Sequence, residues 1–539
     1  MIMAAGTVAS RILGFVRAVL LALTIGVTTD AADAFGVANQ LPNNVYAIIA
    51  GGVLNAVLVP QIVKARAHLD GGQSYIDRLV TLIIVVFASA TVLTTAAAPF
   101  LVSLYTQGWS GDQLALATAF AYWCLPQLFF YGLYSLLGEV LNARSTFGPF
   151  MWAPVLNNIV AISGLVAYIA IFGADPTGQR AAAEWGADQV SLIAATATAG
   201  VAAQALILLV FWRRVGLKIR LNFGWRGVGL RPAAKAASWT LGMVLVTQIG
   251  GLVQTIVAST TVAARETYGL AVASIAASTI AWLIFMLPHS IATVSIATAS
   301  FTKISTHAHD GNIAAFKADV AASLRVIVAV SAFSSIGLMV LAYPVSRVFV
   351  GELQATVALG NVLIAMLIGL VPFSFGFMLQ RAFYALEDTR TPFFFTLVQT
   401  VLFIGGAIAV AFTVNPIWLV ATLALVNSIA ITVQAVLAYR LLRRKVGRFD
   451  GAGLTGATAR MLVAAGLAGA SGFAALWFTG GFAPGSFALA TVLGAVATCA
   501  WVGLLMLGVY ALSLKLLGVP EVNVALGAAA RIFKGITRR

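Results

Sequence analysis

Charge is scarce in this sequence. Acidic and basic residues make up 9% of its 539 positions and hydrophobic residues 61%, whereas a water-soluble chain of this length needs far more polar surface to cover itself. Cysteine is scarcer still. Cys124 and Cys499 each lie inside an apolar run with no partner nearby in sequence, which argues against a disulfide or zinc framework and leaves both as core residues. No GxxxxGK[ST] string occurs among the 50 glycines, so nothing suggests a nucleotide-driven pump within the chain. Strand-like alternation with regular turn signals is missing, which argues against a membrane β-barrel. No basic segment and small-residue cleavage site precede the first apolar run, so no removable signal peptide is expected.

Long apolar runs are what the sequence has in abundance, each able to cross a hydrocarbon core about 30 Å thick. They predict an all-α integral membrane protein with about fourteen transmembrane helices. These begin near residues 5, 34, 79, 113, 149, 189, 237, 269, 322, 355, 393, 416, 457 and 484. The formal net charge of +15 would suggest nucleic acid in a soluble protein, but here it reports topology. With a cytoplasmic N-terminus, inward loops hold Lys64, Arg66, Arg78 and Arg144, the basic stretch 213–235, and Lys303, Lys317, Arg381, Arg390 and the stretch 440–448. Outward loops hold Arg180 and Arg265, with Arg347 near an outer helix end, against Asp30, Asp33, Asp175 and Glu352. Both termini are therefore expected in the cytoplasm, with no nucleic-acid partner.

The chain repeats itself. Residues 41–72, "LPNNVYAIIAGGVLNAVLVPQIVKARAHLDGG", resemble 287–312, and "LNARSTFGPF" (141–150) resembles "FYALEDTRTPFF" (383–394). Two blocks of six helices in the same orientation imply a parallel pseudo-two-fold about the membrane normal. The expected organisation is an N-lobe (1–214), a cytoplasmic connector with a possible interfacial helix (215–236), a C-lobe (237–446), an appended helix pair (447–518) and a basic tail (519–539).

The first run contains "SRILGFVRA", with Arg11 and Arg17. An arginine near the bilayer centre costs about 2.5–3.5 kcal/mol on insertion scales. For a helix starting near Ala5, Arg11 lies about 9 Å in and can snorkel, whereas Arg17 lies about 18 Å in and must meet a polar cavity or a carboxylate such as Asp33. The two project about 120° apart, which requires a broad cavity if both serve one ligand. Guanidinium forks bind phosphate bidentately and keep their charge, so they suit a pyrophosphate. Gly14, one turn from Arg11, lets a headgroup or a neighbouring helix come close.

Other positions carry two readings each. Asp33 caps the second helix or serves the ligand. Pro42 with Asn43, and Pro288 in the second copy, bend their helices as moving elements or only as static kinks. Arg144, Asp388 and Arg390 sit at cytoplasmic turns, as topology anchors and caps or at the point of headgroup admission. Gln248 and Gln254 either bond between helices or line the cavity. His68, His307 and His309 sit beside acids, but ligand-like spacing on a rigid element is absent, so no metal site is expected.

"SRILGFVR", "DAFGVANQLPN", "LNARSTFGPFMWAPVLNN" and "FYALEDTRTP" together resemble the MurJ (MviN) lipid II flippases of bacteria, within the multidrug/oligosaccharidyl-lipid/polysaccharide exporter superfamily. The resemblance spans almost the whole chain. It implies fourteen helices, two six-helix lobes around a central cationic cavity, and an appended C-terminal pair. It also implies alternating-access movement of lipid-linked peptidoglycan precursor to the outer leaflet of the bacterial plasma membrane. Arg11, Arg17, Asp33 and Asn43 match family positions and are expected to bind substrate. Departures stand at Tyr46 and Leu283, where many members carry arginine, at Met286, where a glutamate is common, and at Ala18, where an acid often follows. Lipid II and membrane lipids are the expected partners, with cell-wall synthesis or division proteins besides. No cofactor is expected, and a coupling ion, Na⁺ or H⁺, is left open. The protein is expected to be no enzyme. A drug/cation antiporter of the same superfamily is the alternative, and a membrane-embedded glycosyltransferase a more distant one, since clustered carboxylates on a sizeable loop are missing.

Overall fold

The computed structural model describes residues 2–50, 73–144, 146–214, 220–224, 230–449 and 451–519, and among these every regular element is helical. The chain divides into two compact units, Met1–Ala276 and Ala277–Arg539. In the first unit the helices are α1 (Ile2–Ile25), α2 (Asp30–Ile49), α3 (Gln73–Ala96), α4 (Ala98–Tyr105), α5 (Gly111–Cys124), α6 (Gln127–Ala143), α7 (Gly148–Phe172), α8 (Ala187–Arg214), α9 (Leu230–Ser259) and α10 (Val262–Tyr268). The divide falls two residues into α11 (Ile275–Pro288). The second unit continues through a π-helical segment (His289–Thr293) to α12 (Val294–His309), α13 (Ile313–Val340), α14 (Ala342–Phe349), α15 (Leu353–Leu367), α16 (Leu370–Ala385), α17 (Arg390–Thr413), α18 (Pro416–Val446), α19 (Gly451–Phe478), α20 (Phe487–Ala490) and α21 (Val492–Leu516).

Among the described residues, twelve helices are long and apolar enough to cross a membrane, and the pair α15 and α16, bent by 42°, makes a thirteenth span. The exact count of fourteen is not confirmed among the described residues. The expected span beginning near residue 34 corresponds to α2, whose 20 residues carry Asp30, Asp33, Asn39, Gln40, Asn43 and Asn44 and lead into residues 51–72, outside the described residues. Another difference is the start of α13, at Ile313 and capped by Asn312 Oδ1, where the apolar run suggests a start near 322. Its first turns carry Lys317 and Asp319, which extend the helix into the aqueous interface without adding to the apolar run.

The duplication places its joint at 215–236, whereas contacts within the chain place the divide at Ala276. Accordingly α9 packs in the first unit: Gln248 Nε2 donates to the Asn44 carbonyl (3.0 Å), and Ser259 Oγ accepts from Gln107 N–H (2.8 Å). Residues 225–229 of the expected interfacial helix lie outside the described residues, and from Leu230 the chain is already part of α9. Residues 51–72 of the first repeat and 520–539 of the basic tail lie outside them too.

The two copies of the short repeat form the same turn. Thr146 N–H returns to the Leu141 carbonyl (2.9 Å) after α6, and Asp388 N–H returns to the Phe383 carbonyl (2.9 Å) after α16. Both are six-to-one closures of a helix C-terminus, the second with Glu387 at φ 57°. Small residues set the closest helix approaches. A Cβ on Gly164 of α7 would lie 2.2 Å from Thr196 Oγ1 of α8, and one on Gly369, at the bend before α16, 3.2 Å from Ser428 Cα of α18. In the second unit α19 and α21 pack on α13 around Met461, Ala464, Val502 and Met506, so the appended pair shares that unit's core.

Candidate functional site

Arg17 stands about 16 Å along the first span counted from Gly6. It is half-buried, in a narrow cleft lined by Leu21 of α1, Phe35 of α2, Ala161 and Leu165 of α7, and Ile193, Thr196 and Ala197 of α8. Tyr131 and Cys124 are within electrostatic reach of its guanidinium. None of the ion pairs among the described residues includes Arg17 or Arg11. Arg11 is exposed on the same helix. A guanidinium among apolar walls needs an anionic or strongly polar partner, and phosphate oxygens suit its fork.

Asp33 does not fill that role. Its fully buried carboxylate lies 2.6 Å from Arg265 Nη2 through Oδ2, while Oδ1 accepts the Ala276 N–H at 2.9 Å. Arg265 also bonds Asp30 (3.2 Å), Ser274 Oγ (2.7 Å) and the Val272 carbonyl (3.2 Å). The helix-capping reading of Asp33 goes to Thr29 instead, whose Oγ1 accepts from Ala32 N–H at 3.1 Å. Asp33, Asp30 and Arg265 therefore form a closed cluster that fastens the start of α2 to α10 and the start of α11.

The remaining positions are placed as follows. Gly14 faces α7, where an added Cβ would meet Asn158 Nδ2 at 3.8 Å, an ordinary contact; Asn158 in turn bonds the Ser10 carbonyl at 2.9 Å. Pro42 is buried inside α2 and Asn43 is exposed. Pro288 ends α11, and the following π turn holds buried His289, whose Nδ1 lies 3.0 Å from Ser374 Oγ. Arg144 caps the C-terminus of α6. Asp388 is bound by Lys445 Nζ (2.6 Å) and by Thr391 through N–H (2.9 Å) and Oγ1 (2.8 Å). Partial burial would raise its pKa, but these hydrogen bonds outweigh that and hold the carboxyl below its ordinary value. Arg390 is exposed, its guanidinium 5.6 Å from the Phe394 ring. His307 lies 3.3 Å from Asp319, which also receives Lys303 at 2.8 Å; His68 lies outside the described residues.

Tyr46, at one of the arginine positions of the resemblance, belongs to an aromatic row with Tyr131 (5.7 Å) and Phe87 (6.0 Å). Its phenol lies within electrostatic reach of Ser135 and Glu139. Glu139 went unremarked in the sequence, although an acid inside the apolar run "YSLLGEVL" is a readable signal.

The model of the lipid II flippase MurJ family matches residues 21–493. A probable lipid II flippase MurJ of Rhizobium meliloti is 26% identical over 452 residues, covering 81% of this chain and 78% of that protein. Among solved structures, a lipid II flippase MurJ in an inward closed conformation is 19% identical with a TM-score of 0.72, covering 95% of this chain and 99% of that one. A MATE in complex with MaL6 is 16% identical with a TM-score of 0.58, covering 84% and 95% respectively. At such identities these two structures speak to the fold, whereas the family match runs from α1 into α21, and the chain belongs to the MurJ lipid II flippase family.

Proposed function

We propose that this protein is a transporter and not an enzyme, and that it moves lipid II from the cytoplasmic to the outer leaflet of the bacterial plasma membrane by alternating access. Membership of the family supports the activity. Arg17 is the observation that carries the chemistry: a half-buried guanidinium deep in a span, with no carboxylate pairing it among the described residues. A pyrophosphate offers it bidentate, charge-assisted hydrogen bonds, and exposed Arg11 supplies a second cation nearer the cytoplasmic end. Because an arginine is not deprotonated in a protein, release comes from a change in the cavity rather than from titration.

The repeated six-helix blocks serve in this scheme as the moving lobes, with Pro42 and the Pro288 π turn as points where helices flex. Asp33 contributes by holding α2 rather than by touching substrate. Arg144, Asp388 and Arg390 act as turn anchors, a role supported for Asp388 by its three bonds to Thr391 and Lys445. Both termini face the cytoplasm, in line with the basic inward loops.

The test is complementation of bacteria depleted of their own flippase, with labelled lipid II followed to the outer leaflet. Restored exposure is expected. Failure to restore it, together with export of cationic drugs, would favour the antiporter to which the MATE fold is related.

A further inference from the structure

Two spans of the second unit are broken, and one side-chain contact joins the breaks. The Ile275–His309 span leaves its regular helix after Pro288, where the π-helical segment His289–Thr293 is closed by the Val294 N–H on the His289 carbonyl. The other break, with its bend of 42°, separates α15 from α16 at Ile368 and Gly369. Hydroxyls take the place of the helical bonds lost there: Ser335 Oγ donates to the Leu367 carbonyl (2.7 Å), and Ser428 Oγ to those of Ala365 (2.8 Å) and Met366 (3.2 Å). His289 opens the π turn, and Ser374 lies one turn into α16; Nδ1 and Oγ are 3.0 Å apart, both side chains buried. The Phe373 and Phe377 rings stand 4.6 and 5.2 Å from the imidazole.

The π turn follows α11 and packs most closely against α12, α13 and α16. Their charged and titratable groups lie away from it. No such group occurs in α11; α12 carries Lys303, His307 and His309 toward its far end; α13 carries Lys317, Asp319 and Arg325 near its Asn312 end; α16 carries Arg381 and Tyr384, two turns or more beyond Ser374. Asp319 is the one carboxylate on these four helices, and it already receives Lys303 and His307. Arg381 lies 5.2 Å over the Phe377 ring, so the nearest charge is a cation sharing that ring with His289. A neutral imidazole suits this setting, whereas an imidazolium would be a buried charge without a counter-ion. We propose that His289 is a proton-binding site that controls the hinge of the second unit: with the ring neutral its contact with Ser374 holds the two breaks together, and uptake of a proton releases them. The proposal rests on the flippase reading given above, and it adds the trigger that Arg17, which keeps its charge throughout, does not supply.

The experiment follows amide hydrogen exchange of the full chain in lipid nanodiscs at about pH 7.5 and about pH 5.5, either side of the ordinary imidazole range, with rates corrected for the intrinsic effect of pH. In parallel, transport of labelled lipid II is measured in vesicles whose membrane voltage is clamped by valinomycin and potassium. In wild type, peptides covering 288–294 and 366–374 are expected to exchange about tenfold faster in acid, the scale of one lost hydrogen bond, and the transport rate to change with them. His289→Asn keeps an amide atom near the place of Nδ1, His289→Gln keeps more of the ring's volume, and neither takes up a proton; both are expected to lose the two pH responses. Ser374→Ala is expected to exchange fast at both pH values. Wild-type exchange that ignores pH, a pH response retained by a folded His289→Asn or His289→Gln, or slow exchange in Ser374→Ala at both pH values overturns the hinge. Exchange that responds to pH while transport does not overturns its place in the cycle. Wild type that moves no lipid II at either pH fails the flippase reading itself, whereas the exchange rates report the hinge without any transport.

Discussion

Asp33 and Arg265 are joined at 2.6 Å although 232 residues separate them, and Asp33 is wholly buried. The pair ties the first turn of α2 to the short helix after α9, and it removes the one carboxylate that the sequence offered as a partner for Arg17. Arg265→Ala leaves a buried carboxylate unpaired and is expected to cost about 3–5 kcal/mol. The loss would be read as a lower melting temperature of detergent-solubilised protein. Asp33→Asn with Arg265→Gln should cost less than the sum of the two single changes. Additive costs would mean that the two side chains act independently.

Helix approach gives a second contrast. An alanine at Gly164 would drive its Cβ to 2.2 Å from Thr196 Oγ1, whereas one at Gly14 would sit 3.8 Å from Asn158 Nδ2. Gly164→Ala is expected to destabilise by about 1–3 kcal/mol through overpacking, and Gly14→Ala to leave both melting temperature and lipid II exposure near wild type. Loss of transport in a well-folded Gly14→Ala protein would return that glycine to the gating machinery.

The Asp388 and Lys445 pair carries a pH dependence. Its carboxyl titrates below the ordinary value in the folded protein, so its stabilisation is present above about pH 4, the unfolded carboxyl range, and fades as pH falls through the lower folded value. With Lys445 43% exposed, the contribution is expected to stay below about 1 kcal/mol. Asp388→Asn should therefore melt slightly earlier than wild type at pH 7, and the gap should close in acid. A gap that persists or widens in strong acid contradicts the assignment.

The fold was legible because apolar length alone demands helices in lipid, and the first-helix arginines stood out because charge is costly there. What escaped was partnership. Nothing local in "TDAADAF" reveals that Asp33 meets Arg265, since the contact depends on how α10 returns to α2. Polar residues hid boundaries in the same way: Lys317 and Asp319 concealed the first turns of α13, and the asparagines of α2 set it apart from the other spans.

The most direct measurement compares wild type, Arg11→Ala, Arg17→Lys and Arg17→Ala in flippase-depleted bacteria, at matched abundance, by the amount of labelled lipid II reaching the outer leaflet. Arg17→Ala is expected to abolish exposure, Arg17→Lys to restore part of it by keeping the charge without the fork, and Arg11→Ala to have the milder effect of an exposed site. Full exposure with Arg17→Ala would contradict the central claim and leave Arg17 as a structural charge.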